Sequence, residues 1–243
     1  KIIEISKNQN EKREEVFRSL RTNIQYMLQG NQNVILFTST SSGEGKSFTA
    51  SNLAASFAFM EKKTVVVGLD IRKPALGHIF GLDSKLPGIT QFLSAPADYD
   101  LLTLCQPTSL SPNLFVLPCG ALPPNPTELV ARPSLEKAIE ILKQHFDYVV
   151  LDTAPIGMVT DTQIIARAVD LCVYVCRADY TRKSEFALIN SVRNEKNVSH
   201  SCVLINGINM DKRRNGYYYG YGKYGKYGRY GYGRKYKYGY GGK

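Results

Sequence analysis

Between the apolar run Val34-Ile-Leu-Phe37 and a helix-forming stretch that opens at Lys46 lies Thr40-Ser-Ser-Gly43-Glu44-Gly45-Lys46-Ser47. Nothing else in the chain restricts its fold as tightly. Gly43 and Gly45 let backbone N–H groups close around one anion, and a helix N-terminus adds a favourable dipole. A lysine after the second glycine reaches the β/γ-phosphates of a nucleotide, and the hydroxyl that follows ligates Mg2+. The segment meets the pattern G-x-x-x-x-G-K-[ST] except at its first position, which is Thr40. ATP contacts are assigned to Ser42, Gly43, Glu44, Gly45, Lys46, Ser47 and Phe48.

The rest of the patterning agrees with that loop. Short apolar runs at Val34–Phe37, Thr64–Leu69, Leu114–Leu117, Asp147–Leu151, Leu171–Cys176 and Cys202–Ile205 read as strands. Helices are expected over 46–62, 134–145, 161–169 and 182–195, with short helices and loops over 75–113. Residues 10–28 read as an amphipathic helix with Val16, Leu20, Ile24 and Met27/Leu28 on its apolar stripe. Continuously apolar strands that alternate with helices imply a mostly parallel α/β sheet covered on both faces. Such sheets bind ligands beyond the carboxyl ends of their strands.

Two acids stand at such ends. Asp70 follows the second run in Gly68-Leu69-Asp70-Ile71-Arg72-Lys73-Pro74, placed to hold Mg2+ or to take a proton from an attacking hydroxyl. Asp152 closes Tyr148-Val-Val-Leu151-Asp152, the Walker B arrangement for a metal carboxylate. Ser47, Asp70 and Asp152 are the expected metal set, and Lys46, Asp70 and Asp152 the expected catalytic set. Asp161 falls at a predicted helix start, where capping explains it as well as function does.

The formal charge is +10 over 243 residues, but its distribution matters more than its size. From Lys212 onward there are 10 Lys or Arg and no acid, so the remainder is neutral, with 21 basic and 21 acidic residues. The stretch Gly216–Lys243 carries 11 tyrosines among Gly, Lys and Arg, and no aliphatic residue. Such a composition does not bury enough surface to offset backbone ordering, so disorder is expected there. Cys105, Cys119, Cys172, Cys176 and Cys202 read as reduced thiols, those in apolar runs as core residues. Cys172 and Cys176 share a strand face but stand about 13 Å apart, too far for one zinc. No run of about 18 apolar residues spans a bilayer. The chain starts at Lys1 rather than Met, so it reads as part of a longer protein whose membrane anchor would lie upstream.

Together these residues resemble the bacterial tyrosine kinases (BY-kinases), the cytoplasmic modules of polysaccharide co-polymerases. Ser39-Thr-Ser-Ser-Gly-Glu-Gly-Lys46-Ser47 is similar to the family's Walker A, and Asp70-Ile-Arg72-Lys-Pro74 to its additional Walker A′. Leu151-Asp152-Thr153-Ala154-Pro155 is similar to its Walker B. Gly120-Ala-Leu-Pro123-Pro124-Asn125-Pro126-Thr127-Glu128-Leu129 is similar to a family segment with few look-alikes elsewhere. Glu15-x-x-Arg18-x-x-Arg21 matches its self-association motif, and the tyrosine-rich tail its autophosphorylation cluster. There are two departures: Gly68 replaces the first Asp of the usual Asp-x-Asp, which leaves more to Asp70, and Ser42 stands where many relatives have Pro.

The resemblance implies an ATP- and Mg2+-dependent protein-tyrosine autokinase that regulates capsule or exopolysaccharide synthesis. Its acceptors would be Tyr217, Tyr218, Tyr219, Tyr221, Tyr224, Tyr227, Tyr230, Tyr232, Tyr236, Tyr238 and Tyr240 of a neighbouring subunit. It further implies a homo-oligomeric ring, a transmembrane activator, a tyrosine phosphatase as partner, and a place at the cytoplasmic membrane; nucleic acid is not an expected partner. The expected organisation is a self-association segment over 1–30, a P-loop kinase domain over 31–211 and a tail over 212–243. Taken without the family, Glu15, Arg18 and Arg21 read equally well as a solvated charged face with i,i+3 pairs. Three other readings share parts of the sequence. A partition or septum-positioning ATPase has the same fold but normally an extra loop lysine, where this chain has Ser41. A single-stranded nucleic-acid binder uses interleaved Tyr and Lys/Arg. A kinase weakened by Gly68 would bind ATP alone.

Overall fold

The computed structural model describes residues 11–195 and 200–209, the side chains of 11–13 and 191–195 excepted. Among them the expected strands all form: β1 (Val34–Ser39), β2 (Thr64–Leu69), β4 (Leu114–Leu117), β5 (Tyr148–Thr153), β6 (Leu171–Arg177) and β7 (Ser201–Asn206). A two-residue strand, β3 (Gln106–Pro107), adds to them. The sheet order is β3-β4-β2-β5-β1-β6-β7. Every neighbouring pair is parallel except β3–β4, which is antiparallel at the edge.

Each central strand alternates between two apolar clusters, because successive side chains point to opposite faces. On one face lie Val34 and Leu36 of β1, Val65 and Val67 of β2, Val149 and Leu151 of β5, and Cys172, Tyr174 and Cys176 of β6. They are covered by α4 (Ile89–Ser94), α5 (Pro126–Val130), α6 (Ser134–His145), α7 (Asp161–Ile165) and α8 (Glu185–Glu195). Leu135, Ala138, Ile139 and Leu142 recur at i, i+3, i+4 and i+7, which gives α6 its buried stripe. The other face holds Ile35, Phe37, Val66, Val150, Val173 and Val175 under α1 (Glu11–Met27), α2 (Lys46–Ala58) and α3 (Leu76–Phe80).

The small residues of α2 explain its place. It is buried continuously from Thr49 to Ala58, pressed on the sheet by Ala50, Leu53, Ala54 and Phe57 and roofed by α1. Phe17 meets Phe48 edge-on at 6.1 Å between ring centroids. This corrects one position of the stripe expected for α1, Val16. Its buried residues are Phe17 and Ile24, with Leu20 and Leu28 packed against the cluster, whereas Val16 is 64 % exposed. A stripe through Phe17 buries an aromatic ring, a gain of about 1.5–3 kcal/mol over leaving it in water.

All five cysteines are free thiols, as expected; Cys172 and Cys176 are buried in the core, as are Cys105 and Cys119, whereas Cys202, also expected in the core, is only partly buried on edge strand β7. Burial pushes Cys105, Cys119 and Cys172 up to about 12 and Cys176 up to about 11. No described helix is long and apolar enough to cross a membrane. Two units are distinguished along the chain: Lys1–Gly207, which contains every element above, and Ile208–Lys243, described only at Ile208 and Asn209. The expected tail disorder and the tyrosines Tyr217 to Tyr240 lie outside the described residues.

Candidate nucleotide and phosphoryl-transfer site

Parallel register brings the motif residues together. Gly68 of β2 and Phe37 of β1 both lie opposite Asp152 of β5, so the three strands end at one level. The phosphate loop leaves β1, Asp70 leaves β2 and Asp152 sits at the end of β5, all at the carboxyl edge. A cavity of about 310 Å3 opens there, lined by Ser42 to Phe48 without Glu44, and by Asp70, Arg72, Pro155 and Met158. A wider cleft of about 710 Å3 lies at the other end of the strands, around Lys63, Lys143 and Tyr148, and holds none of the motif residues.

Gly45 starts α2 with φ 96°, in the left-handed region that favours glycine. A Cβ there would stand 2.2 Å from Asn206 Nδ2, so the position is closed twice over. Asn206 uses that Nδ2 to hold the Glu44 carbonyl at 3.0 Å. Arg177 Nη1 donates to the Gly43 carbonyl at 3.2 Å, and the Tyr180 hydroxyl to that of Ser42 at 3.0 Å. The end of β6, the loop after it and the end of β7 thus tie back the loop carbonyls, leaving its N–H groups to face a phosphate.

The Glu44 side chain does not face the cavity. It is buried, accepting from Thr40 Oγ1 at 3.0 Å, from the Ser41 N–H at 2.8 Å and from Thr181 Oγ1. Its carboxylate ties the first turn of the loop to the segment after β6. Any contact of Glu44 with nucleotide therefore falls to its backbone.

Lys46 Nζ lies 2.7 Å from Asp70 Oδ2, 3.4 Å from Asp152 Oδ1 and 3.3 Å from Ser47 Oγ. Burial by itself lowers the Lys46 pKa, but the Asp152 and Asp70 carboxylates outweigh it and hold the ammonium above its ordinary value. Burial pushes the Asp152 carboxyl up, opposed by Lys46 and Ser47. Asp70 is fixed from its other oxygen as well, which accepts the Lys73 N–H at 3.0 Å.

The donor set fits ATP with Mg2+. Asp152 Oδ2 is buried without a hydrogen-bond partner among the described residues, and such an oxygen calls for a cation or water. The Ser47 hydroxyl and the Asp70 carboxylate stand beside it, the hard oxygen ligands that Mg2+ takes. Among the described residues no group of three or more His, Cys, Asp or Glu forms a separate metal cluster.

Gly68 is a departure with a structural cause. A Cβ on it would stand 3.1 Å from the Cys119 backbone nitrogen and 3.6 Å from Leu76 Cδ1. This chain packs the end of β4 against the very place where the usual carboxylate would begin.

Sequence patterning did not find the role of Asp161. It makes no side-chain cap on α7; it is 3 % exposed and receives Arg72 Nε at 2.9 Å and Thr127 Oγ1 at 2.6 Å. Of the helical motif, Arg18 pairs with Glu14 at 2.7 Å and Glu15 at 3.6 Å. Arg21 instead reaches α2, where Nη1 donates to the Ser56 carbonyl and hydroxyl, each at 2.9 Å. Burial lowers its pKa from the usual arginine value.

A P-loop protein of the α/β class is what this fold and site define. The family description "CobQ/CobB/MinD/ParA nucleotide binding domain" matches residues 35–210. Within that class the chain is 36 % identical to the tyrosine-protein kinase CpsD of Streptococcus agalactiae over 91 % of this chain and 95 % of that one. It also resembles the kinase domain of the Escherichia coli tyrosine kinase ETK, at 26 % identity and a TM-score of 0.75, covering 80 % of this chain and 75 % of that chain. The septum site-determining protein MinD of Pyrococcus horikoshii, complexed with Mg-ADP, shares the fold at 20 % identity and a TM-score of 0.58, covering 71 % and 68 %. The chain belongs to the bacterial protein-tyrosine kinase (BY-kinase) family.

Proposed function

We propose that this chain transfers the γ-phosphoryl group of ATP to tyrosines in the tail of a neighbouring copy, between Tyr217 and Tyr240, and thereby regulates polysaccharide polymerisation and export. The observation that carries this reading is the convergence of Asp70 and the buried Asp152 on Lys46, beside the cavity that Lys46 and Asp70 line, in a chain whose C-terminal stretch supplies 11 tyrosines.

Phosphoryl transfer depends on positioning and charge neutralisation more than on covalent chemistry by the protein. Backbone N–H groups of Gly43 to Ser47 hold the phosphates, and Lys46 exchanges Asp70 for the β/γ-phosphate oxygens. Ser47, Asp152 and Asp70 would hold Mg2+, which would offset charge on the transferring group. Asp70 orients the acceptor hydroxyl and takes its proton, help that a phenol with a pKa near 10 needs at neutral pH. A bond forms from the tyrosine oxygen to the γ-phosphorus as the bond to the bridging oxygen breaks, and ADP leaves.

The tail is the switch in this reading. Each phosphate adds about −1.5 to −2 charges, so about six overturn the tail's positive charge. Glu15 and Arg18 lie on an exposed face of α1 and serve self-association into a ring, with Arg21 anchoring that helix to α2. A transmembrane activator holds the assembly at the cytoplasmic membrane, and a tyrosine phosphatase resets it. Mixing a Lys46→Met chain with a chain truncated after Met210 tests transfer between copies: phosphotyrosine should appear on the Lys46→Met tail. ATP hydrolysis with no phosphotyrosine would instead favour an ATPase switch of the partition type.

A further inference from the structure

The Gly120–Leu129 segment is left without a role by the nucleotide site. It leaves the end of β4 and runs into α5, whose first residue is Pro126, a residue pre-set for that position. Its near end is tied by Thr90, whose hydroxyl lies 2.9 Å from the Cys119 carbonyl and 2.7 Å from that of Ala121. Its far end is tied by Thr127, and Thr127 meets an ion pair between the half-exposed Arg72 and the buried Asp161. The hydroxyl donates to Asp161 Oδ1 at 2.6 Å and receives Arg72 Nη2 at 3.1 Å. Arg72 Nε donates to Asp161 Oδ2 at 2.9 Å, with Nη2 to Oδ1 at 3.4 Å.

Three loops from three strand ends therefore meet on one carboxylate: Arg72 after β2, Thr127 after β4 and Asp161 after β5. Asp161 is 3 % exposed, so its carboxylate depends on those partners, and removing one leaves a buried acceptor short of a hydrogen bond. Arg72 is two residues beyond Asp70 in the same turn, whose Asp70 Oδ1–Lys73 N bond is 3.0 Å long. The hydrogen bonds of the three residues run to one another and not to Gly43–Ser47. Arg72 itself lines the cavity, whereas Thr127 and Asp161 do not.

We propose that Arg72, Asp161 and Thr127 form a positioning lock that holds the Asp70 turn in register for phosphoryl transfer and leaves nucleotide binding to the phosphate loop. The lock rests on the kinase reading above. It acts through Asp70: a turn anchored at both ends keeps the carboxylate aligned with the acceptor, and misplacement of a reacting group by about 1 Å costs up to about 100-fold in rate.

Thr127→Val removes the hydroxyl at nearly constant volume, and Thr127→Ser keeps it. Initial rates of tail phosphorylation, the KM for ATP, the Kd for a fluorescent ADP analogue and the melting temperature would be measured on both, beside wild type and Asp161→Asn. Thr127→Val should lower kcat about 10-fold or more, with ATP KM and ADP Kd within about 2-fold of wild type. Thr127→Ser should restore kcat to within about 2-fold. The double variant with Asp161→Asn should lose less than the product of the single losses, because the two residues share one network. Wild-type kcat in Thr127→Val, failure of serine to rescue, or equal losses in kcat and nucleotide affinity would overturn the lock. Should Asp161→Asn not fold, the valine–serine pair still decides. A wild-type protein that binds ADP and forms no phosphotyrosine would refute the kinase reading instead, and the lock with it.

Discussion

Lys46 Nζ stands 2.7 Å from Asp70 Oδ2, so the cation of the phosphate loop is paired with the acid of the neighbouring strand end. A phosphate must draw Lys46 from that partner, and it must do so next to a negative carboxylate. Asp70→Asn relieves both effects. In EDTA, ATP should bind Asp70→Asn at least as tightly as wild type, while phosphoryl transfer in Mg2+ falls by about 100-fold or more, as expected on loss of a positioned base. Equilibrium binding and initial rates separate the two, and a parallel loss of both would contradict the assignment.

Asp152 carries a pH prediction. Burial raises its pKa above the usual carboxylate range, with Lys46 and Ser47 opposing. A raised acid keeps its proton to higher pH than an exposed one, and the protonated form is a poor metal ligand. Mg2+-dependent strengthening of ATP binding should therefore fade on acidification at a pH above 3.8, the unperturbed aspartate value. Asp152→Asn should abolish the Mg2+ dependence and its pH profile together. A profile unchanged in Asp152→Asn would show that another group titrates.

Gly68 tests the departure in the strand-end motif. Its missing Cβ would press on the Cys119 backbone nitrogen at 3.1 Å, and backbone does not yield as a side chain does. Gly68→Ala should destabilise the fold by about 1–3 kcal/mol, the usual cost of overpacking, and Gly68→Asp by at least as much. Urea unfolding measures this; an unchanged midpoint would mean that the end of β4 moves freely.

Arg18 and Arg21 should separate stability from assembly. Arg21 Nη1 makes two bonds to Ser56, and hydrogen bonds to a charged group are worth about 1.5–3 kcal/mol. Arg21→Ala should lower the melting temperature of the isolated chain, whereas Arg18→Ala, an exposed residue paired within its own helix, should not. If self-association uses the exposed face of α1, Arg18→Ala should reduce it with little change in melting temperature, as read by light scattering.

Much of the fold was legible because burial on both faces writes a continuous apolar run. Thr64–Leu69 and Leu114–Leu117 have the bounds expected from their runs. Gln106–Pro107 left no such trace, since two residues at the sheet edge have neither length nor period. The short helix α5 was not among the expected elements, although a proline at its first position, Pro126, is a local start signal. The stripe of α1 was right at Leu20, Ile24 and Leu28 and wrong at its first position: Val16 and Phe17 are both apolar, and only the packing on α2 decides which is buried.

The site divides in the same way. The phosphate loop and the strand-end acids are local patterns, with the glycines, lysine and acids at fixed offsets from apolar strands. Glu44 looked like part of the ligand shell because it lies in the loop, but its partners Thr40 and Thr181 lie on either side of a fold closure. Arg72, Thr127 and Asp161 are 34 to 89 positions apart, and no spacing in the chain links them.

The central claim is tested most directly by mass spectrometry of the purified chain after incubation with ATP and Mg2+, beside a Lys46→Met control. The account predicts ATP-dependent phosphotyrosine between Tyr217 and Tyr240, absent from the control. Unmodified tail tyrosines in a wild-type chain that measurably binds ATP would contradict it.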